Sequence, residues 1–298
     1  MSQSQLAVDT VVLDVDGVLV DVTDSYRRAI RETLQAVYGE TVSQQAIQRF
    51  KNAGGFNNDW KLTDAAALYL LAIREGYEAD LGTYTDAIAD RGGGLAAARA
   101  VVSDALSPSA LAAVETRWDP DRHRSVFQQL YLGADLYREL EAAEPDADTP
   151  GYIHDEPVLI AAETIEDLTD RFAIGVFTGR PAPEAAIALD RVGLSLPESH
   201  RITMDDWESE KPDPSGLTQL ADRLNGQSIA FVGDTLDDVR TARRADEADS
   251  QRRFYGIGVL TGGLSGAEGR AAFKQVGADA VIDTVDALPG RLVTDTPI

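Results

Sequence analysis

The sequence predicts an α/β fold: a parallel sheet with helices on both faces, interrupted after its first strand by a helical insertion. Three observations carry this reading. A continuously apolar, β-branched run, Thr10-Val11-Val12-Leu13, stands near the start, as a strand buried on both faces requires. From there to about residue 140 the apolar positions recur at helical spacing, with no strand signal of comparable strength. After Pro157 short apolar runs alternate with amphipathic stretches, the rhythm of βα units.

Taken in order, the first strand runs into Asp14-Val15-Asp16-Gly17. The stripe Tyr26, Ala29, Ile30, Leu34 and Val37 predicts a helix over 23–37, stopped by Gly39. A helix over 63–73 follows, with Thr63 as its N-cap. Ala-rich helices are expected over 95–106 and 108–115, and another over 127–140 from Leu130, Tyr131, Ala134, Leu136 or Tyr137, and Leu140. Gly92-Gly93-Gly94 reads as a hinge or loop; without a following Lys-Ser/Thr it is not a nucleotide loop. Glu141 to Pro157 sets Pro145, Pro150 and Pro157 among acidic residues and reads as a linker. Beyond it come a helix over 158–169, a strand over 172–177, a helix over 183–192, a strand over 229–232, a helix over 237–245, a strand over 256–260 and a short strand at 281–282. The expected division is a core of residues 1–20 and 158–298 and a helical insertion of 21–157, with 141–157 as its return linker.

The composition narrows the function. The chain has 298 residues, 44% of them hydrophobic, enough for a sizeable core. It has no Cys, which excludes disulfides, Cys-ligated zinc, iron–sulfur clusters and thiol catalysis. Its formal charge of −23 argues against partners such as nucleic acid or anionic membrane. Lys occurs only at 51, 61, 211 and 274; the other 23 basic residues are Arg. Few Lys and many acids resemble proteins of salt-adapted cytoplasms, where at ~1 M salt a Debye length of ~3 Å screens crowded carboxylates; plain solubility is the alternative. The polar N-terminus lacks a signal peptide's basic start and apolar run. No apolar run approaches the roughly 20 residues of a membrane span, so a cytoplasmic location is expected.

The chemistry gathers at predicted strand ends, where ligands bind in open parallel sheets. Asp14 and Asp16 would repel one another unless a cation sits between them. Carboxylate oxygen is a natural donor to Mg²⁺, and an ionised Asp can attack phosphorus while a second acts as acid and base; a pair of acids capping a turn is the alternative. Gly17 allows a sharp backbone turn. Thr178-Gly179-Arg180 offers a hydroxyl and backbone N–H groups to an anion, or forms an ordinary turn, with Arg180 at a substrate or in solvent. Lys211, in Lys-Pro-Asp-Pro, supplies a cation in a chain that otherwise avoids Lys. Asp234 and Asp238, one helical turn apart, can face one site; N-capping by Asp234 is compatible with that. His123, His154 and His200 have no ligand spacing and read as solvated or structural.

The set DVDGV at 14–18, FTGRP at 177–181, KPDP at 211–214 and GDTLDD at 233–238 resembles the haloacid dehalogenase superfamily, specifically subfamily I members with a helical cap inserted after the first motif. The likeness covers residues 7–20 and about 158–290. It implies a Rossmann-like parallel-sheet core with helices on both faces, an inserted α-helical cap domain and Mg²⁺-dependent phosphoryl transfer on a small phosphorylated metabolite. Asp14 is then the nucleophile and Asp16 the acid/base, with its backbone carbonyl also on Mg²⁺. Thr178, Gly179 and Lys211 hold the phosphate, Asp234 binds Mg²⁺ and Asp238 supports it. Superfamily dehalogenases lack an Asp at the position of Asp16, so dehalogenation is disfavoured. Cleavage of a C–P bond would need a cap Lys, and only Lys51 and Lys61 lie there. A phosphomutase on the same fold and a non-catalytic binding protein stay open as alternatives.

The insertion is longer than the common cap of this subfamily and resembles that of a small, partly haloarchaeal clade. Within it, Asn52 to Trp60 (NAGGFNNDW) is unusual for a helical region. Asn57, Asn58 and Trp60, with Arg180, are the candidates for reading the substrate. The alternative is a structural loop with Phe56 and Trp60 packed inward.

Overall fold

The computed structural model describes residues 5–56, 58–207 and 209–295. The chain divides into two compact units. One runs up to Thr23 and resumes at Pro157; the other is Asp24–Glu156.

The chain opens with strands β1 (Leu6–Val8) and β2 (Thr10–Leu13), the latter wholly buried. Among the described residues it then runs through α1 (Thr23–Tyr38), α2 (Gln44–Ala53), α3 (Asp59–Arg74), α4 (Leu81–Asp90), α5 (Gly94–Ala105), α6 (Pro108–Arg117) and α7 (Pro120–Glu141). Returning, it alternates: α8 (Ala162–Arg171), β3 (Ala173–Phe177), α9 (Ala182–Val192), β4 (Arg201–Ile202), α10 (Ser215–Leu224), β5 (Ser228–Gly233), α11 (Leu236–Ala248), β6 (Arg253–Val259), α12 (Gly266–Gln275), β7 (Ala280–Ile282) and β8 (Leu292–Thr294).

In the first unit, six parallel strands lie in the order β4-β3-β2-β5-β6-β7, and β1 pairs with β8 in a separate ribbon. Strand periodicity sorts the side chains to two faces. Val11, Leu13, Ile174, Val176, Ala230 and Val232 pack with Leu168 of α8 and Leu189 of α9. Their alternates Val12, Phe177, Ile229 and Phe231 pack with Leu217 and Leu220 of α10 and Ala242 of α11. This is the expected Rossmann-like layering. Leu13 stands opposite both Val176 and Val232, so the loops leaving β2, β3 and β5 start level. The strand order reverses at β2, the place where such sheets open a crevice.

The expected helix over 158–169 begins only at Ala162. Val158 instead bridges Val20, and the Leu159 N–H bonds to Leu19 O at 2.9 Å. These bonds hold 158–159 extended and delay the helix to Ala162.

In the second unit, side chains on the preceding residue cap most helices. Ser43, Asp80, Ser107 and Asp119 each accept a backbone N–H of the first turn. The helix expected to start at Thr63 starts one turn earlier. Asn58 is its cap, accepting from the Trp60 and Lys61 N–H groups at 3.0 and 3.2 Å. Thr63 lies inside, its hydroxyl bonded back to Asp59 O at 2.8 Å. Helices α2 and α4, each burying three residues, were not read from the sequence. The two glycine runs cross: Gly94 N–H bonds to Gly54 O at 2.9 Å, and a Cβ on Gly93, at φ +82°, would lie 2.4 Å from Gly54 O. Helix α7 breaks at Gly133, where the acidic return segment crosses it and Ala134 N–H bonds to Thr149 O at 2.9 Å. His123 is buried between Asp64 (2.6 Å) and the Tyr38 hydroxyl (2.5 Å), tying α3 and α1 to α7. No described helix is long and apolar enough to cross a membrane.

Candidate active site

The site is built at the carboxyl end of the sheet, from residues that directly follow buried strands. Asp14, the residue after β2, is 6% exposed. Its backbone N–H bonds to Val232 O at 2.9 Å, so it stays in the sheet's frame. One carboxylate oxygen accepts the Val15 N–H at 2.8 Å and the other lies 3.0 Å from Lys211 Nζ. Lys211, which precedes a cis peptide bond to Pro212, also donates to Asp238 Oδ1 at 2.8 Å. Its ammonium sits 5.1 Å from the ring centroids of both Phe177 and Phe231. These rings wall the cation from water and attract it.

Asp238 is the third residue of α11 and is held in a capping box. Its Oδ2 accepts the Thr235 N–H (2.9 Å) and hydroxyl (2.6 Å), while Thr235 Oγ1 accepts the Asp238 N–H. Thr235, and not Asp234, caps this helix. That frees Asp234 for the crevice. Carboxylate oxygens of Asp14, Asp234 and Asp238 lie within 4.8 Å of one another. Among the described residues these three form a group that could hold a metal ion, though both oxygens of Asp238 already have protein partners.

Two loops close on Asp234. Gly17, at φ +69°, leaves no room for a side chain, because a Cβ would fall 2.5 Å from the Asp234 carboxyl. Gly262, after β6, comes nearer still, since a Cβ there would fall 1.7 Å from Asp234 Oδ2, and the neighbouring Thr261 hydroxyl donates to Gly17 O. Thr261 and Gly262 were not among the residues expected at the site. Their signal in the sequence is a Thr-Gly-Gly run after a strand, the same kind of turn as Thr178-Gly179.

Burial sets the electrostatics. It pushes the Asp14 carboxyl up to about 7, against Lys211, which pulls it down; the Asp238 and Asp16 charges add to the rise. Asp234 is raised well above the ordinary carboxylate range, again by burial first and by Asp238 next. Burial alone would lower Lys211, but Asp14 and Asp238 more than offset it and leave the ammonium firmly charged. Buried carboxylates that resist ionisation with one Lys among them are short of positive charge.

Thr178, after β3, is buried; its N–H bonds to Ile202 O at 3.0 Å and its Oγ1 accepts the Arg180 N–H at 3.3 Å. Nothing stands near the side-chain position of Gly179. Arg180, expected at a substrate or in solvent, is instead buried in the core unit, its Nε 2.5 Å from Asp16 Oδ1. The structure thus brings Asp14, Lys211, Asp234 and Asp238 into one cluster, with Asp16 and Arg180 paired beside it.

The remaining candidates belong to the helical unit. Asn57 lies outside the described residues. Asn58 is a helix cap. Trp60 sits in the first turn of α3, its indole N–H on Gln128 Oε1 at 3.3 Å and the Arg124 guanidinium 4.2 Å over its ring. Phe56 is buried edge-on to Phe50, and Lys51 pairs with Asp59 at 3.0 Å.

Comparison with known proteins places this geometry. Residues 8–246 match the family model of haloacid dehalogenase-like hydrolases. An imidazoleglycerol-phosphate dehydratase from Phytophthora nicotianae is 27% identical over 241 residues, 80% of this chain and 42% of that protein. The phosphoglycolate phosphatase of Escherichia coli K12 is 32% identical over 74 residues, 24% of this chain and 29% of that protein. The chain therefore spans less than half the length of these curated relatives. Among solved structures, phosphatase Tt82 from Thermococcus thioreducens superposes with a TM-score of 0.60 at 24% identity, covering 82% of this chain and 91% of that one; at that identity the likeness speaks for the fold.

Proposed function

The chain belongs to the haloacid dehalogenase-like hydrolases, and on that premise we propose that it is a Mg²⁺-dependent phosphatase of a small phosphorylated metabolite. The observation that carries the reading is the Asp14 carboxylate, at the end of the central strand, 3.0 Å from Lys211 and clustered with Asp234 and Asp238. The all-oxygen, all-carboxylate donor set suits a hard divalent cation. Asp14, Asp234 and the backbone carbonyl of Asp16 would hold Mg²⁺, with Asp238 supporting. The bound ion would supply the positive charge that the cluster and the phosphate oxygens require.

In the proposed reaction an Asp14 oxygen attacks phosphorus as the ester P–O bond breaks. Asp16 gives its proton to the departing alkoxide. Asp16 then takes a proton from water as the water oxygen attacks phosphorus, the Asp14–phosphorus bond breaks, and inorganic phosphate leaves. Lys211, Thr178 and the Gly179 N–H steady the phosphate oxygens, and Lys211 is held in place by Asp238.

The test is a screen of phosphate monoesters with MgCl₂, run at low and high KCl because of the charge of −23. The expected result is Mg²⁺-dependent release of inorganic phosphate from at least one ester. An isomeric phosphate ester in place of free phosphate would convert the reading to a phosphomutase, and no turnover of any ester would overturn it.

A further inference from the structure

Arg180 is a buried cation to which the reaction above gives no task. Its side chain has no solvent exposure, and its Nε–H donates to Asp16 Oδ1 at 2.5 Å. The two residues are 164 positions apart in sequence, on loops that follow neighbouring strands β2 and β3. The main chain at Arg180 is fixed on both sides: its N–H bonds to Thr178 Oγ1 at 3.3 Å, and its carbonyl accepts the Met204 N–H at 2.9 Å. Asp16, by contrast, sits in a tight turn, where Gly17 N–H bonds to Val20 O at 2.8 Å, and its side chain is 29% exposed.

Resting on the phosphatase reading, we infer that Arg180 is a positioning residue that sets the orientation of the Asp16 carboxyl for proton transfer to the leaving-group oxygen. A guanidinium is planar, permanently charged and a donor only. It neither gives nor takes the proton in the reaction and acts through the carboxylate it holds. A hydrogen bond to one carboxylate oxygen stops the carboxyl group rotating. Proton transfer is sensitive to such placement, since misplacing a reacting group by ~1 Å costs on the order of 100-fold in rate. The restraint outlasts the movement of the proton, because Asp16 Oδ1 can accept the Arg180 Nε–H while Oδ2 carries or releases the proton.

The consequence depends on the leaving group. When the ester P–O bond breaks, an alkoxide must collect the Asp16 proton as it departs, whereas p-nitrophenolate leaves as a stable anion. The value of kcat/KM reports events up to departure of the leaving group, so the later hydrolysis of phospho-Asp14 does not mask the effect. The experiment measures kcat/KM for p-nitrophenyl phosphate, phenyl phosphate and 2-phosphoglycolate with the wild type, Arg180→Gln, Arg180→Lys, Asp16→Asn and the Asp16→Asn/Arg180→Gln double variant, each checked by a thermal melt. The expected result is a loss of about 100-fold on 2-phosphoglycolate and less than about 5-fold on p-nitrophenyl phosphate in Arg180→Gln. The double variant should match Asp16→Asn within about 3-fold, because the two residues act as one unit. Arg180→Lys keeps the charge but not the planar fork; it should show the same selective loss, and it decides the question if Arg180→Gln does not fold. A loss equal across the three esters would mean that Arg180 grips the phosphate itself, and multiplicative losses in the double variant would mean it works apart from Asp16; either overturns the inference alone. A wild type that turns over neither these three nor any ester of the phosphate-release screen overturns the phosphatase reading and the role of Arg180 with it.

Discussion

The carboxyl end of the sheet and the 52–60 segment of the helical unit both concentrate polar and aromatic residues that look chemical in the sequence. In the structure their partners differ. At the sheet, Asp14, Asp234 and Asp238 are crowded within 4.8 Å around a single Lys, an arrangement that burial makes costly; only Asp238 also has a local folding task, in the capping box of α11. In the 52–60 segment, Asn58 closes a helix, Gly54 meets Gly93–Gly94, Lys51 pairs with Asp59, and Trp60 stacks under Arg124. Each of those features has a folding task. Unusual residues therefore point to chemistry when the fold leaves their charges crowded, and to architecture when it satisfies them.

The comparison can be broken most directly at its chemical end. Replacing Asp14 with Asn should lower phosphate-ester turnover by about 10⁴-fold or more, with the thermal midpoint kept or raised because a buried charge is removed. Near-normal turnover, measured as phosphate release, would leave the carboxylate cluster unexplained. At the architectural end, Gly93→Ala should destabilise the protein by about 2 kcal/mol or more, since the new Cβ would lie 2.4 Å from Gly54 O. Urea unfolding followed by tryptophan fluorescence checks this, and an unchanged midpoint would mean that the glycine crossing carries no weight.

Protons and metal should compete at the sheet end. Burial pushes the Asp14 carboxyl up to about 7 in the folded protein from an ordinary value of 3.8. Between those values the folded chain keeps a proton the unfolded chain has lost, so the contribution of this group to metal-free stability falls as pH rises through that window. A cation must displace that proton below about 7. The rise in melting temperature on adding MgCl₂ should therefore be larger at about pH 8 than at about pH 5.5, by the equivalent of about 2 kcal/mol. A shift that is equal at both, or larger at the lower pH, would mean that Asp14 is not where the metal binds.

The smallest effect separates the two meanings of Asn58. As a helix cap, its replacement by Ala should cost about 1 kcal/mol of stability and leave KM within about 2-fold. A raised KM at unchanged stability would move the 52–60 segment to the chemical side of the comparison.

Five of the six core strands were legible because they are short and apolar, and the motif residues follow β2, β3 and β5 at once, so sequence order places the motifs at one end; β4 (Arg201–Ile202), two residues long, was missed. The Lys211 bridge between Asp14 and Asp238 follows from that order only in outline; the buried pair of Phe rings that house it does not. The burial of Arg180 and its bond to Asp16 were not legible, because Asp16 follows the neighbouring strand and nothing local to Thr178-Gly179-Arg180 shows where a long side chain turns. Thr261 and Gly262 were passed over because a Thr-Gly-Gly turn carries no charge. In the helical unit, α2 and α4 were missed and α3 was started late, because capping by Asn58 competes with a plausible cap at Thr63 that is in fact inside the helix.

The central claim is that Asp14 carries the phosphoryl group. Rapid acid quench of the protein during turnover of p-nitrophenyl phosphate with MgCl₂, followed by peptide mass spectrometry, tests it without assuming the natural substrate. The account predicts a phosphoryl adduct on the peptide containing Asp14, labile to base and absent from Asp14→Asn. Turnover with no adduct on that peptide, or an adduct on another residue, would contradict it.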